Sequence, residues 1–120
     1  QALLDTYSTP EDIDLAQKKA EADVNLTIQT TNERIATAQK KRKKLADEAE
    51  FYKKKTMPPE LDKDLRAVEH ELRLQQELVE LKKKEFDTIK SKYDADRKRY
   101  FELARRPPAA PSGSAASTLR

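Results

Sequence analysis

The sequence predicts an all-α protein, namely a long antiparallel hairpin of two helices packed as a coiled coil, followed by a disordered C-terminal tail. Charged residues make up 39% and hydrophobic residues 36% of the 120 positions, which suits a narrow apolar stripe between helices better than a thick core. Apolar residues recur in alternating steps of three and four, which is the coiled-coil repeat. The adjacent prolines Pro58 and Pro59 separate two such stretches.

The first element is an apolar lead-in at residues 1–9, after which a helix is predicted to begin at Pro10. Thr9 suits the N-cap position, because a proline restrains the residue before it and itself fits the first helical position. Asp12 stands at the third helical position, from which its carboxylate can accept a hydrogen bond from the backbone of the cap. We therefore expect Thr9 and Asp12 to form a capping box.

The hairpin is predicted over residues 10–106, with its turn at 56–60. Nothing before Lys55 breaks the first helix, whereas two consecutive prolines cannot continue the ladder of hydrogen bonds. Pro59 suits the first turn of the second helix. After the second helix the composition changes to Pro, Ala, Ser and Gly, so residues 107–120 are predicted to be a disordered tail.

Each predicted helix carries one seam of residues at heptad spacing. The seam of the first helix comprises Val24, Ile28, Thr31, Ile35, Ala38, Arg42, Leu45, Ala49 and Tyr52. The seam of the second helix comprises Leu61, Leu65, Val68, Leu72, Gln75, Val79, Lys82, Phe86, Ile89, Tyr93, Asp96, Tyr100 and Leu103. A chain folded back at the two prolines should pair Leu45 with Leu72, Arg42 with Gln75, and Ala38 with Val79.

The charges favour the same antiparallel arrangement. Residues 1–33 carry seven acids and two bases, and residues 40–55 carry three acids and eight bases. Residues 56–81 carry seven acids and three bases, and residues 90–106 carry three acids and seven bases. An antiparallel hairpin places segments of opposite charge side by side, whereas a parallel pair of identical chains stacks like charges.

Three leucines of the second helix lie outside its seam, and we call them the leucine flank: Leu74, Leu78 and Leu81. Their steps of four and three place them side by side, so they are predicted to bind a protein partner or a second copy of the chain. A second apolar set near the open end of the hairpin, called the lead-in set, comprises Leu3, Leu4, Tyr7 and Phe101. We expect the lead-in to fold onto the second helix there.

Lysines form two clusters that are typical of a nucleic-acid patch. The lysine clusters comprise Lys40, Lys41, Lys43 and Lys44 in the first helix and Lys53, Lys54 and Lys55 before the turn. We favour a solvated face paired with acidic residues across the hairpin, because the formal net charge is only +3. The aromatic residues Tyr52, Phe86 and Tyr93 also fall on the seams rather than between exposed lysines.

The sequence provides no chemistry for catalysis. The chain has no cysteine and a single glycine, Gly113, so it has no thiolate nucleophile and no glycine-rich phosphate loop. His70 is the only histidine, and a zinc site needs three or four converging ligands. No apolar run approaches the roughly 18 residues of a membrane span. We predict no enzyme activity, no metal, no cofactor and no transmembrane span.

The segments at residues 3–14, 57–61 and 92–103 occur in an order similar to that of one protein family. The first reads Leu-Leu-Asp-Thr-Tyr-Ser-Thr-Pro-Glu-Asp-Ile-Asp and the second Met-Pro-Pro-Glu-Leu. This order resembles uncharacterised proteobacterial periplasmic or envelope proteins with a C-terminal helical-hairpin region. In that family a small domain and a signal peptide usually precede the hairpin, so we expect a chain that starts at Gln1 to be part of a longer protein. The resemblance implies an envelope location and brings no catalytic residues.

The expected function is that of a non-enzymatic structural or adaptor hairpin that binds protein partners in the bacterial periplasm or cell envelope. The alternative is a nucleic-acid-binding hairpin that uses the lysine clusters. The two differ in salt dependence, because a nucleic-acid binder loses affinity steeply as salt rises.

Overall fold

The computed structural model describes residues 6–105, which form two long helices. Helix α1 spans Pro10–Phe51 and helix α2 spans Pro59–Arg105. The part of the chain between residues 6 and 105 contains no β-strand. The predicted all-α helical hairpin is confirmed. The predicted tail at 107–120 lies outside the described residues.

Helix α1 begins at Pro10 with the predicted capping box. The backbone N–H of Asp12 donates to Thr9 Oγ1 at 3.2 Å, and the Thr9 N–H donates to Asp12 Oδ2, also at 3.2 Å. The Ser8 N–H adds a second hydrogen bond to the same carboxylate oxygen at 3.1 Å. Donors that have no partner within the helix are thereby satisfied, and the start of α1 is fixed by these residues.

Helix α1 ends earlier than the sequence predicts. Its last residue is Phe51 rather than Lys55, so the segment between the helices is 52–58 and not 56–60. A helical carbonyl accepts from the N–H four residues later, and neither proline has an N–H group. The carbonyls of Lys54 and Lys55 therefore have no donor with which to continue the helix. The final turn tightens instead, with the Tyr52 N–H donating to the carbonyl of the third residue before it at 2.9 Å.

Helix α2 begins at Pro59, as predicted. The carbonyl of Pro58 accepts hydrogen bonds from the N–H groups of Leu61 at 3.1 Å and Asp62 at 3.2 Å. Glu60 and Asp62 in the first turn place negative charge at the positive end of the helix dipole. The second proline thus starts a helix that the first proline caps.

The chain divides into two compact units. One joins the residues up to Glu21 with the residues from Thr88 onward, and the other spans Ala22–Asp87. In each unit a segment of α1 packs against a segment of α2, and each core lies between the two segments.

The core of the unit 22–87 consists of the predicted seam residues. Ala38, Val68 and Leu72 form one buried cluster, against which Ile35 and Leu45 pack. The seam prediction is confirmed at its buried positions in this unit, which are Val24, Thr31, Ala38, Leu61, Val68, Leu72 and Val79.

The pairing of the two seams differs from the prediction by about one heptad. Ala38 packs in the cluster of Val68 and Leu72, whereas the sequence analysis paired it with Val79. Because α1 ends at Phe51, the chain reverses direction before the prolines, and α1 meets an earlier part of α2. A heptad corresponds to a displacement of about 10 Å along a helix. The seam repeats every seven residues, so the displacement changes partners without changing which faces are buried.

Three polar residues on the seams are accommodated in different ways. The buried Thr31 hydroxyl donates to the carbonyl of Thr27 at 2.7 Å. The half-buried Lys82 extends its ammonium group outward to Glu85 Oε1 at 3.0 Å, as expected for a snorkelling side chain. Gln75 Oε1 is buried and has no hydrogen-bond partner among residues 6–105. Gln75 is therefore an unsatisfied polar group within the seam.

In the other unit the seam extends further toward the N-terminus than predicted. Ile13 is fully buried, and Tyr100 is buried on α2. The Tyr100 hydroxyl donates to the carbonyl of Ser8 at 3.0 Å. The Arg97 guanidinium contacts Asp14 Oδ1 at 2.8 Å and Gln17 Oε1 at 2.6 Å. These bonds connect the first turns of α1 to the last turns of α2.

Candidate protein-interaction surfaces

The leucine flank is exposed at two of its three positions. Leu74 is 49% and Leu81 is 62% exposed, whereas Leu78 is half-buried. Leu74 and Leu81 are separated by seven residues, close to two full turns, and therefore share one face of α2. The expectation that Leu78 also lies in the open is wrong, since its position borders the seam. The flank thus presents two apolar side chains rather than three.

Leu81 lies in a shallow groove formed on one face of α2. Of the glutamates Glu71, Glu77 and Glu85 near the leucine flank, only Glu77 lines this groove. Sequence reasoning missed the other residues around it, although their steps of three and four along the helix place them beside Leu81. The residues lining the groove are Arg73, Gln76, Glu77, Glu80, Leu81 and Lys84.

Charged groups around the groove interact along their own helix. Lys83 Nζ lies 3.5 Å from Glu80 Oε2, and both side chains are largely exposed. Arg73 Nη2 lies 3.2 Å from Nδ1 of the exposed His70. Exposed ion pairs are worth at most about 1 kcal/mol, so these charges remain available to bind charges on another molecule.

The lead-in set is only partly available as a surface. Tyr7 is half-buried, and Phe101 is 40% exposed and packs edge-on against Tyr100 with ring centroids 6.0 Å apart. Burial, and then the neighbouring Tyr93 to which its hydroxyl is hydrogen-bonded, raise the pKa of Tyr7 above 10.0. Tyr7 thus packs onto α2, as the sequence analysis expected of the lead-in. Leu3 and Leu4 lie outside the described residues.

The lysine clusters are exposed at all seven positions. Lys43 Nζ lies 3.5 Å from Asp47 and Lys53 Nζ lies 3.5 Å from Glu50, so both bind acids of their own segment rather than acids across the hairpin. The expected pairing across the hairpin is wrong for these two lysines. Arg42, assigned to the seam, is also exposed, because its long side chain can reach water from the edge of the seam.

An exposed aromatic residue accompanies the second lysine cluster, and the sequence analysis overlooked it. Phe51 is 68% exposed, its ring lies edge-on to Tyr52 at 5.1 Å, and Lys55 Nζ lies 4.9 Å from its centroid. The heptad spacing could have predicted this exposure. Tyr52 belongs to the seam, and Phe51, one residue earlier, is rotated by about 100° around the helix axis, away from the seam.

An ion pair across the hairpin occurs at Arg97. Its guanidinium bonds Asp14 on α1 and also Asp94 on α2, the latter at 3.1 Å. Nearby, the Lys92 ammonium lies 3.1 Å from Asp96 and 4.2 Å from the Tyr93 ring centroid. The hydrogen bond to Asp96 is the largest cause of the raised pKa of Lys92. The bond from Arg97 to Asp14 joins the two helices, whereas the contacts of Asp94 and Lys92 lie within α2.

Comparison of the chain with protein-family models, with curated proteins and with solved structures finds no match. No helix within residues 6–105 is both long enough and apolar enough to cross a membrane. Over the same residues, His, Cys, Asp and Glu do not gather in groups of three or more that could hold a metal ion. The surfaces of α1 and α2 described above are therefore the basis for the functional proposal.

Proposed function

We propose that this chain is a non-enzymatic structural or adaptor hairpin that binds a protein partner through the leucine flank. The observation that carries the proposal is the exposure of Leu74 and Leu81 on one face of α2. Single exposed leucines are common on protein surfaces, but these two lie two turns apart on one face, with the half-buried Leu78 between them, and form an apolar strip.

The energy available from this strip is sufficient for a specific but modest contact. Full burial of a leucine side chain gains about 1.5–3 kcal/mol, and about half of each side chain is already covered. Leu74 and Leu81 would then contribute about 0.7–1.5 kcal/mol each. The charged groove residues Arg73, Glu77 and Glu80 would surround the apolar contact as a polar rim. An incoming amphipathic helix fits such a strip.

The test compares a variant of the leucine flank with a control variant on the other helix. Leu74→Glu with Leu81→Glu removes the proposed surface, and Leu26→Glu alters an equally exposed leucine on α1, at 62%. Circular dichroism should show unchanged helicity for both, because the three leucines lie outside the buried cluster. Binding to protein partners, measured by affinity capture from cell-envelope extract and confirmed with the purified partner, should fall only for the flank variant. Equal binding by the parent and the flank variant would refute the proposal.

We place this activity in the bacterial periplasm or cell envelope, on the strength of the resemblance at residues 3–14, 57–61 and 92–103. Fractionation of cells that express the full-length protein tests this location. Recovery in the cytosolic fraction would contradict it.

A second candidate function, nucleic-acid binding, is favoured by Phe51. An exposed aromatic ring beside Lys53, Lys54 and Lys55 can stack on an unpaired base while the ammonium groups neutralise phosphates. Binding to single-stranded oligonucleotides should then weaken steeply with salt and drop when Phe51 is changed to alanine. Phe101→Ala, at the other exposed phenylalanine, is the matched control. Equal binding by the two variants would exclude Phe51 as a stacking platform.

A further inference from the structure

The segment 52–58 between the two helices is rich in lysine. Every lysine and arginine within residues 6–105 lies in a helix except three, which are Lys53, Lys54 and Lys55. The side chains of these three lysines are exposed. The segment therefore combines backbone outside the helices with accessible side chains of one charged type.

The backbone of the segment leaves regular structure after Lys55. The Lys55 N–H donates to the carbonyl of Tyr52 at 2.9 Å, which closes the last turn after α1. The next three residues, Thr56, Met57 and Pro58, belong to neither helix, and Thr56 is exposed. A protease binds its substrate as an extended chain, so it reaches a peptide bond in such a segment directly, whereas a bond within a helix must first open. The bond between Lys55 and Thr56 is therefore accessible to a protease in the folded protein.

The contacts of these lysines do not keep them from an enzyme. Lys55 Nζ lies 4.9 Å from the centroid of the Phe51 ring, and Lys53 Nζ lies 3.5 Å from Glu50 Oε1. All four side chains are exposed, and such contacts are weak in water. The ammonium group of Lys55 can leave the ring and enter a pocket with a carboxylate at its base, which is how some serine proteases select a basic residue.

We propose that the segment 52–58 is a processing site for an endoprotease that hydrolyses peptide bonds on the carboxyl side of lysine, and that its target is the bond between Lys55 and Thr56. In this hydrolysis water adds a hydroxyl group to the carbonyl carbon of Lys55 and a hydrogen to the nitrogen of Thr56, as the bond between these two atoms breaks. One product ends in a carboxylate at Lys55, and the other begins with an ammonium group at Thr56.

The cut changes how the two helices are held together. In the uncut chain a short connection keeps α1 and α2 at an effective concentration of about millimolar. After the cut, the cluster of Ala38, Val68 and Leu72 joins two separate molecules. Pairing of the helices then depends on protein concentration. Processing thus converts a permanent hairpin into a separable pair of helices.

Limited digestion of the full chain with trypsin, which cleaves after lysine and arginine, tests the site. An internal comparison is provided by Lys82, Lys83 and Lys84, because the same three residues occur there within α2. Cleavage after Lys55, followed by mass spectrometry, should be at least about a hundredfold faster than cleavage after these helical lysines. Equal or faster cleavage within α2 would overturn the proposal.

Cells that express the full-length protein test whether the site is used. The recovered protein should contain a fragment that begins at Thr56, detected by labelling of N-terminal amines and mass spectrometry. Changing Lys53, Lys54 and Lys55 to glutamine should abolish this fragment, whereas the same change at 82–84 should not, and circular dichroism should show that both variants remain helical. Recovery of the uncut chain alone would overturn the processing role.

Thermal unfolding tests the consequence of the cut. The melting temperature of the cut hairpin, freed of trypsin, should rise over a hundredfold increase in protein concentration, whereas that of the uncut chain should stay nearly constant. A cut hairpin that melts at the same temperature at every concentration would show that the cut does not make the pairing reversible.

Discussion

Gln75 provides a direct test of how the seam is packed. Its Oε1 atom is buried without a hydrogen-bond partner, and an unsatisfied buried polar group costs about 1–3 kcal/mol. Methionine has a similar shape and helix propensity and carries no such acceptor. Because Gln75 is only half-buried, we expect Gln75→Met to stabilise the hairpin by about 1 kcal/mol, at the low end of this range.

The assay is thermal unfolding followed by circular dichroism at low protein concentration, so that association does not contribute. A gain of about 1 kcal/mol raises the melting temperature of a domain of this size by about 4 °C. Gln39→Met is the matched control, because Gln39 is exposed on α1 and its replacement should leave the melting temperature nearly unchanged. A lower melting temperature for Gln75→Met would show that the amide is satisfied in solution and that the reasoning about the seam is wrong.

The other predictions concern the core, the register and alkaline pH. Leu72 is buried, so Leu72→Ala should destabilise the protein by about 2 kcal/mol. His70 is exposed, so His70→Ala should change stability by less than about 0.5 kcal/mol. Equal melting temperatures for the two variants would contradict the assigned faces of α2. Cysteines at Ala38 and Leu72 should form an intramolecular disulfide more readily than cysteines at Ala38 and Val79. Gel mobility after oxidation measures the extent of disulfide formation. Faster formation by the Ala38 and Val79 pair would favour the register predicted from the prolines. The pKa of Tyr7 is raised in the folded state, so its stabilising contribution is present below pH 10.0 and is lost as the pH rises above that value. Melting temperatures measured across this range should fall less for Tyr7→Phe than for the parent, and identical pH profiles would rule out this contribution.

The start of α1 and the buried faces of both helices could be predicted because they depend on local rules. Thr9, Pro10 and Asp12 define a cap within four residues, and the heptad steps determine which faces turn inward. These features need no knowledge of how distant parts of the chain meet. The position of Leu72 in the core followed from spacing alone.

The register could not be predicted, because a heptad seam fits its partner equally well after a shift of seven residues. The position of the turn decides between such registers, and α1 ends at Phe51, several residues before the first proline. The exposure of Phe51 depends on the same segment, because Phe51 is the last residue of α1. Leu78 illustrates a different difficulty, since a residue at the edge of a seam is covered or open according to small rotations of the helix.

The hydrogen bond from Tyr100 to Ser8 joins residues 92 positions apart in the chain. Contacts near the turn close short loops, whereas this contact closes a much longer one, and the entropic cost of closure grows with loop length. Helical contacts near the turn can therefore form early in folding and reduce the cost of each later contact. We expect the termini of the hairpin to join last during folding and to separate first during unfolding. Amide hydrogen exchange should then be fastest in the first turns of α1 and the last turns of α2 and slowest around Val68.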